Sequence, residues 1–216
     1  MKKKVKNKSE KYLELIKTQY NIDMNSDNFI DIIKEEIKDS KQAFRDYFDR
    51  YIADNKRLIG LEWASAMYLF FKVEEQKCVK DITKYSNVLA KYPNNFMVES
   101  ILADINLRYY GDVFAAKDMF ISALEMIPQD SFCHYSLGYI YHLIGIFGKS
   151  TTYYEKALEF AGDDSDCKAR SYFNIAINEI YCREDYARAR ELLIKALKEM
   201  PDYPQAKEVL KQIRNK

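Results

Sequence analysis

The chain has 216 residues, 48% of them hydrophobic and 31% charged, with a formal net charge of +1. Those proportions fit a globular protein of one or two domains and exclude a chain disordered throughout. The near-neutral balance argues against a nucleic-acid binder, which usually carries a basic excess or stripe. Only 6 Gly and 4 Pro are present, too few for the tight turns of all-β and glycine-rich nucleotide folds.

The chain opens on a basic cluster, Lys2, Lys3, Lys4, Lys6 and Lys8. A solvated, frayed tail is the plain reading; a weak contact with an anionic surface is the sharper one. No apolar run follows, only Ser9, Glu10 and Lys11, so a signal peptide is not expected. Tyr12, Leu13, Ile16 and Tyr20 hint at a weak helix, and residues 1–25 are read as basic tail or weak helix. Next, Phe29, Ile32, Ile33 and Ile37 form a helical stripe just after Asn25-Ser26-Asp27, which can cap it. Phe44, Tyr47, Phe48, Tyr51, Ile52, Leu58 and Ile59 form a longer one. Together they predict an N-terminal helical pair over residues 26–61. The stretch from Ala64 to Phe71 is apolar, but Ser65 interrupts it and it is far too short to span a bilayer. A soluble, cytoplasmic chain with no membrane partner is therefore expected.

From here the sequence repeats. Val88-Leu89-Ala90-Lys91-Tyr92-Pro93, Ala123-Leu124-Glu125-Met126-Ile127-Pro128 and Ala196-Leu197-Lys198-Glu199-Met200-Pro201 are versions of one phrase. Ala157-Leu158-Glu159-Phe160-Ala161-Gly162 is a fourth, with Gly for Pro. The steps are 35 residues from Pro93 to Pro128, 34 to Gly162 and 39 to Pro201, the extra residues falling at Asp163-Asp164-Ser165-Asp166. Before each phrase, small and bulky residues recur at spacings of four and three: Ala116, Phe120, Ala123; Ser150, Tyr154, Ala157; Ala189, Leu193, Ala196; and, degraded, Asp81, Tyr85, Val88. That spacing places them on one helical face, where small residues let a neighbouring helix approach. Turns precede these helices at Gly111-Asp112-Val113, Gly145-Ile146-Phe147-Gly148 and Glu184-Asp185-Tyr186, and glycine there can take the left-handed conformation that stops a helix. Earlier still lie first helices, the clearest at His134-Tyr135-Ser136-Leu137-Gly138-Tyr139-Ile140-Tyr141.

In these features the chain resembles the tetratricopeptide repeat family. The unit from Ser131 matches at His134, Leu137, Gly138, Tyr141, Ser150, Tyr154 and Ala157, departing at Ser150 and Gly162. The unit from Ala169 matches at Tyr172, Asn174, Ile175, Ala176, Tyr186, Ala189, Leu193, Ala196 and Pro201, with one extra residue at its turn. The unit from Phe96 matches at Leu102, Ala103, Gly111, Ala116, Phe120, Ala123 and Pro128. The unit from Glu62 rests on Tyr85, Val88, Leu89 and Pro93. The repeats thus cover residues 62–203, as about 62–95, 96–130, 131–164 and 169–203. Ala206, Val209, Leu210 and Ile213 then make a one-sided stripe suited to a capping helix over 204–216. The resemblance implies an all-α fold: a right-handed α-solenoid of antiparallel helix pairs, with an N-terminal helical arm and a C-terminal capping helix.

The resemblance also implies a site. First helices line the concave face of such proteins. Here that face would carry Trp63, Ala66 and Phe70; Met97, Ser100, Asp104 and Arg108; Phe132, Tyr135, Tyr139 and His142; and Arg170, Phe173, Ile177 and Tyr181. Exposed aromatic residues bury large area on binding while losing few rotamers. The alternative is that the front helices fold back and fill this groove. Some family members clamp a partner's terminal carboxylate with Lys and Asn, but those places here look aromatic or aliphatic.

Little points to chemistry. Cys78, Cys133, Cys167 and Cys182 contain no closely spaced pair and read as reduced, mostly buried small hydrophobes. His134 and His142 are eight residues apart, about 12 Å along a helix, too far to share a metal; His134 reads as a packing residue and His142 as packing or partner contact. Asp163-Asp164-Ser165-Asp166 lacks the Gly and Glu of a calcium loop and reads as a polar linker. No nucleotide, nucleophile-elbow or zinc-helix motif occurs. No catalytic residue, metal or cofactor is assigned. The expectation is a non-enzymatic scaffold or adaptor holding a peptide or helix of another protein. The alternative is a secretion-type chaperone with a dedicated substrate, and a homodimer through the N-terminal helices is compatible with either. The Lys-, Asn- and Ile-rich composition suits an AT-rich bacterial gene.

Overall fold

The structure, a computed structural model, describes residues 8–92 and 94–214. Lys2, Lys3, Lys4 and Lys6 of the basic cluster, and Pro93 of the first repeat phrase, lie outside the described residues. Helix takes up 78% of the described residues, and no strand occurs among them. The chain forms two compact units, one up to Leu102 and one from Ala103. The division falls inside the run expected as continuous repeats.

The first unit is built around α4 (Leu61–Gln76). Trp63, Ala64, Ala66, Met67, Tyr68, Leu69 and Phe70 are buried in succession, so this helix is apolar on every side and needs neighbours on every side. They are α1 (Lys8–Tyr20), α2 (Phe29–Glu36) and α5 (Val79–Leu89), with α3 (Gln42–Asn55) laid across Trp63. The residues expected as tail or weak helix thus contribute α1, whose Tyr12 and Ile16 are buried. Tyr12 meets the Tyr85 ring edge-on at 5.5 Å and Tyr20 meets Tyr68 at 5.6 Å. Each such large apolar side chain, fully buried, contributes roughly 1.5–3 kcal/mol. On α2, Glu36 pairs with Lys72 of α4 at 2.7 Å, their side chains only 13% and 22% exposed. This packing joins the expected pair 26–61 to the first repeat in one unit. The turn before α2 differs from expectation. No side chain caps the helix at Asn28; instead the Asn25 N–H donates to Asn28 Oδ1 at 2.8 Å and the Asp27 N–H to Asn25 Oδ1 at 2.9 Å.

The second unit begins in α6 (Phe96–Ile105), which runs on into a π-helical turn at Asn106–Tyr110. Then follow α7 (Val113–Met126), α8 (Ser131–Leu143), α9 (Phe147–Phe160), α10 (Ser165–Arg183), α11 (Tyr186–Glu199) and α12 (Pro204–Gln212). α8 packs on α9 and α10 on α11, and the short turns between them make antiparallel pairs. Helices stop in the left-handed conformation at Gly111 (φ 69°), Gly145 (φ 76°) and Glu184 (φ 52°), so the third turn does with Glu what the others do with Gly. Four of these helices start on aspartate. Asp112, Asp130, Asp164 and Asp185 accept the N–H groups of Ala115, Cys133, Cys167 and Arg188 at 2.7–3.0 Å, each cap contributing about 1 kcal/mol. Asp164 belongs to the segment read as a linker; it is a helix cap. On α12, Ala206 and Ile213 are buried.

Gly138 of α8 faces the ring of Tyr154 on α9. A Cβ added there would lie 2.7 Å from Tyr154 Cδ1 and 2.8 Å from Cε1, inside van der Waals contact, and the ring is fully buried. Gly138→Ala is therefore expected to overpack the site by about 1–3 kcal/mol, less the ~1 kcal/mol that alanine gains in a helix. At about 2–4 °C per kcal/mol for a chain of this size, its melting temperature should fall by a few degrees, and Gly138→Leu should fall further. Gly148, where an added Cβ meets nothing within 4 Å, is the control: Gly148→Ala should melt no lower than the parent in the same circular-dichroism melts.

Candidate functional site

In the second unit the first helices enclose an open groove of about 600 Å³. Its floor is one face of α8: Phe132, Tyr135, Ser136 and Tyr139, four residues at helical spacing. Asp104, Leu107 and Arg108, from the end of α6 and its π-helical turn, form one wall; Arg170 of α10 stands on the other. Phe132 and Tyr139 are each 40% exposed. Phe132 is backed by the buried Phe120 ring at 5.9 Å. Tyr135 is half-buried and rests on Tyr154 at 5.5 Å. Its hydroxyl accepts the Asn174 side-chain N–H at 3.2 Å. Burial pushes the Tyr135 phenol above its usual value, with the Asn174 bond opposing, so it stays neutral.

The charged groups of the groove are held from below. Arg108 donates through Nε to Asp104 at 2.7 Å, and Arg170 through Nε to Asp166 at 2.7 Å, each one helical turn apart. Asp166 and Asp104 thereby fix the direction of each guanidinium. Each guanidinium of the lining is thus balanced by a carboxylate, Asp104 in the lining and Asp166 beside it.

Not every expected residue joins this site. Arg108, Phe132, Tyr135, Tyr139 and Arg170 come together. Phe173 is half-buried beneath Tyr203 at 5.1 Å, and burial raises the Tyr203 phenol to about 12. Ile177 is half-buried. His142 bonds through Nδ1 to Asn178 Oδ1 at 2.7 Å, while Tyr181 is 71% exposed and stacks on Phe147 at 6.5 Å. These four lie beside the groove and do not line it. Trp63 and Phe70 are corrections: both are buried inside the first unit. α3 covers Trp63 with Phe48 and Tyr51, at 6.1 and 6.4 Å, and Tyr92 closes it from the side at 6.5 Å. Met97 and Ser100 are buried as well. On the first-helix face of that unit, the fold-back alternative holds. Leu107 and Ser136, missed from the sequence, line the groove because they fall three or four residues from Asp104 and Phe132 on the same faces.

No protein-family model matches the sequence, and neither does any curated protein. Solved structures do. One is YrrB, described as a tetratricopeptide repeat protein with an unusual peptide-binding site: 16% identity, TM-score 0.57, covering 94% of this chain and 99% of that one. Another is TTC0263, a thermophilic tetratricopeptide repeat protein of Thermus thermophilus: 14% identity, TM-score 0.53, covering 95% and 98%. The fold is tetratricopeptide-like. No helix among the described residues is long and apolar enough to cross a membrane, and no group of three His, Cys, Asp or Glu there could hold a metal ion.

His134, read from the sequence as a packing residue, is buried between Tyr153 and Phe160 at 5.9 and 5.4 Å. Its Nε2–H donates to the Pro128 carbonyl at 2.8 Å, tying α8 to the preceding turn and leaving Nδ1 as the bare nitrogen. Nδ1 is buried with no hydrogen-bond partner among the described residues. Burial lowers the imidazole pKa below the usual 6.5. The unfolded chain takes up that proton first, so stability is full above about pH 6.5 and is lost as pH falls from there toward the folded value. Melting temperature should decline between about pH 7.5 and about pH 5.5, above the carboxylate range of about 4. His134→Gln, which keeps a donor for Pro128 but does not titrate, should show a flatter decline.

Proposed function

We propose that this chain is a non-enzymatic binding module that holds a segment of a partner protein in the groove of its second unit. The observation that carries the reading is the state of the α8 face. Tyr139 and Phe132 stay open on a floor whose underside, Tyr135 on Tyr154, is tightly packed. Open aromatic residues on a rigid support are what partner anchors look like. The groove's polar groups also favour binding over chemistry: Arg108, Arg170 and Tyr135 are each already engaged by Asp104, Asp166 and Asn174. YrrB, a protein of like fold, is described as having a peptide-binding site. A scaffold or adaptor is the reading this supports, with the secretion-type chaperone as a special case in which the partner is a single dedicated substrate.

Affinity capture from the source cell with tagged protein, followed by identification of what co-purifies, tests it. Tyr139 is outside the packed core, so Tyr139→Ala should leave the melting temperature nearly unchanged. Losing a central aromatic anchor commonly costs about 2 kcal/mol or more of binding, and capture should weaken at least about tenfold, the factor that ~1.4 kcal/mol represents. Lys156 on α9 is exposed and away from the groove lining; Lys156→Ala should change neither property. Capture that survives Tyr139→Ala in full would place the partner surface elsewhere.

A further inference from the structure

The groove floor runs on past the cavity. Phe132, Ser136, Tyr139 and Leu143 follow at steps of four, three and four residues, one stripe along a single face of α8. Phe132 and Tyr139 are 40% exposed and Leu143 is 49% exposed, so the stripe stays open as far as the last residue of the helix. The eleven steps from Phe132 to Leu143 cover about 16 Å at 1.5 Å per residue. That is the length of about five residues of extended chain at roughly 3.3 Å each. The charges beside the stripe are closed among themselves. Arg108 bonds to Asp104 and lies over the Tyr109 ring at 5.1 Å, and Arg170 bonds to Asp166. Two guanidiniums thus meet two carboxylates. The Asp104 side chain is only 18% exposed, so drawing Arg108 away would strand a carboxylate in a poorly hydrated place. The Tyr135 hydroxyl is engaged by Asn174. What the floor offers a visitor is apolar area and the hydroxyl of the exposed Tyr139, a neutral group that can donate and accept.

We propose that the segment held here is uncharged and apolar, a run of aliphatic or aromatic residues laid along α8 from Phe132 to Leu143. The inference rests on the groove being the partner site and names the chemistry that enters it. Charge complementarity decides it. With its charges paired off, the groove presents no excess of either sign to attract or steer a charged segment. A side-chain charge set down on Phe132, Tyr139 and Leu143 would lose its water with no unpaired counter-charge in place. An apolar side chain there removes from water both its own surface and that of the stripe. Aromatic residues gain further, because their rings can meet those of Phe132 and Tyr139 edge-on or offset.

A peptide library reads this chemistry directly. Random peptides of about twelve residues, displayed on phage, are selected on the immobilised full-length protein, and those that also bind the Tyr139→Ala protein are discarded. The survivors are expected to share an apolar stretch of about five residues without Asp, Glu, Lys or Arg. One of them, synthesised with blocked ends and labelled, is then titrated by fluorescence anisotropy. Its affinity should fall at least about tenfold with Tyr139→Ala and with Leu143→Ser. It should change less than about threefold between about 0.05 and 0.5 M salt, a range over which exposed charge pairs are screened. Replacing its central apolar residue by Asp, or by Lys, should weaken binding at least about tenfold in either case. Survivors enriched in one sign of charge, or an affinity that falls more than about threefold with salt, would overturn the inference and leave the groove reading intact. So would a peptide that tolerates either charge at its centre, or one indifferent to Leu143→Ser. If no survivor depends on Tyr139, the groove reading itself falls, and the inference with it.

Discussion

The second unit depends on how closely α8 and α9 approach, and that distance is set by a missing side chain. Gly138 gives the Tyr154 ring a place against the α8 backbone that any Cβ would occupy. Tyr154 is then fully buried and becomes the support for Tyr135. Tyr135 in turn bridges by hydrogen bond to Asn174 of α10. One glycine thus sets how closely α9 lies beneath the groove floor. Interiors packed to this density transmit displacement and do not absorb it, so the rigidity of the floor has its origin in the core.

Polar groups reinforce that frame where helices begin and end. Four aspartates cap four helices in the same way, and each satisfies a backbone donor that would otherwise lack a helical partner. Two others, Asp104 and Asp166, sit one turn before Arg108 and Arg170 and aim them. His142, Asn178, Ser150 and Thr151 form a further chain, Asn178 donating to both hydroxyls at 2.9 and 3.1 Å, which links α8, α10 and α9. Along the groove, the aromatic surface is left to water while Arg108, Arg170 and Tyr135 are each held by a polar partner. Such an arrangement holds the geometry of the groove.

The first unit shows the opposite outcome from similar ingredients. α4 is so uniformly apolar that no face of it could be left in water, and α1, α2 and α3 close around it. α8 is mixed: His134, Leu137 and Tyr141 are buried, and Phe132 and Tyr139 are open. The same repeat architecture therefore buries one aromatic face as core and leaves another as surface, according to how much apolar area each first helix carries.

Much of this was legible in the sequence because it is local. The period near 3.6, the small–large–small spacing of Ser150, Tyr154 and Ala157, and Gly111 and Gly145 ahead of second helices follow from contacts between residues a few positions apart. They locate the helices and place Gly138 against its partner helix. Asp112, Asp130, Asp164 and Asp185 carry a cap signal at the sequence level too, though Asp164 reads as linker when charge alone is considered. The sequence by itself determined an all-helical tetratricopeptide-like chain with aromatic residues to spare on its first helices. Only the tertiary structure decided which of those residues are surface. Trp63 and Phe132 each lie near the start of a helix rich in apolar residues, and they read alike in the sequence. Their difference is whether α3 lands on them, and that depends on contacts such as Tyr47 to Phe96, 49 positions apart. Periodicity describes which face a residue takes on its own helix; it carries no information on which distant segment covers that face.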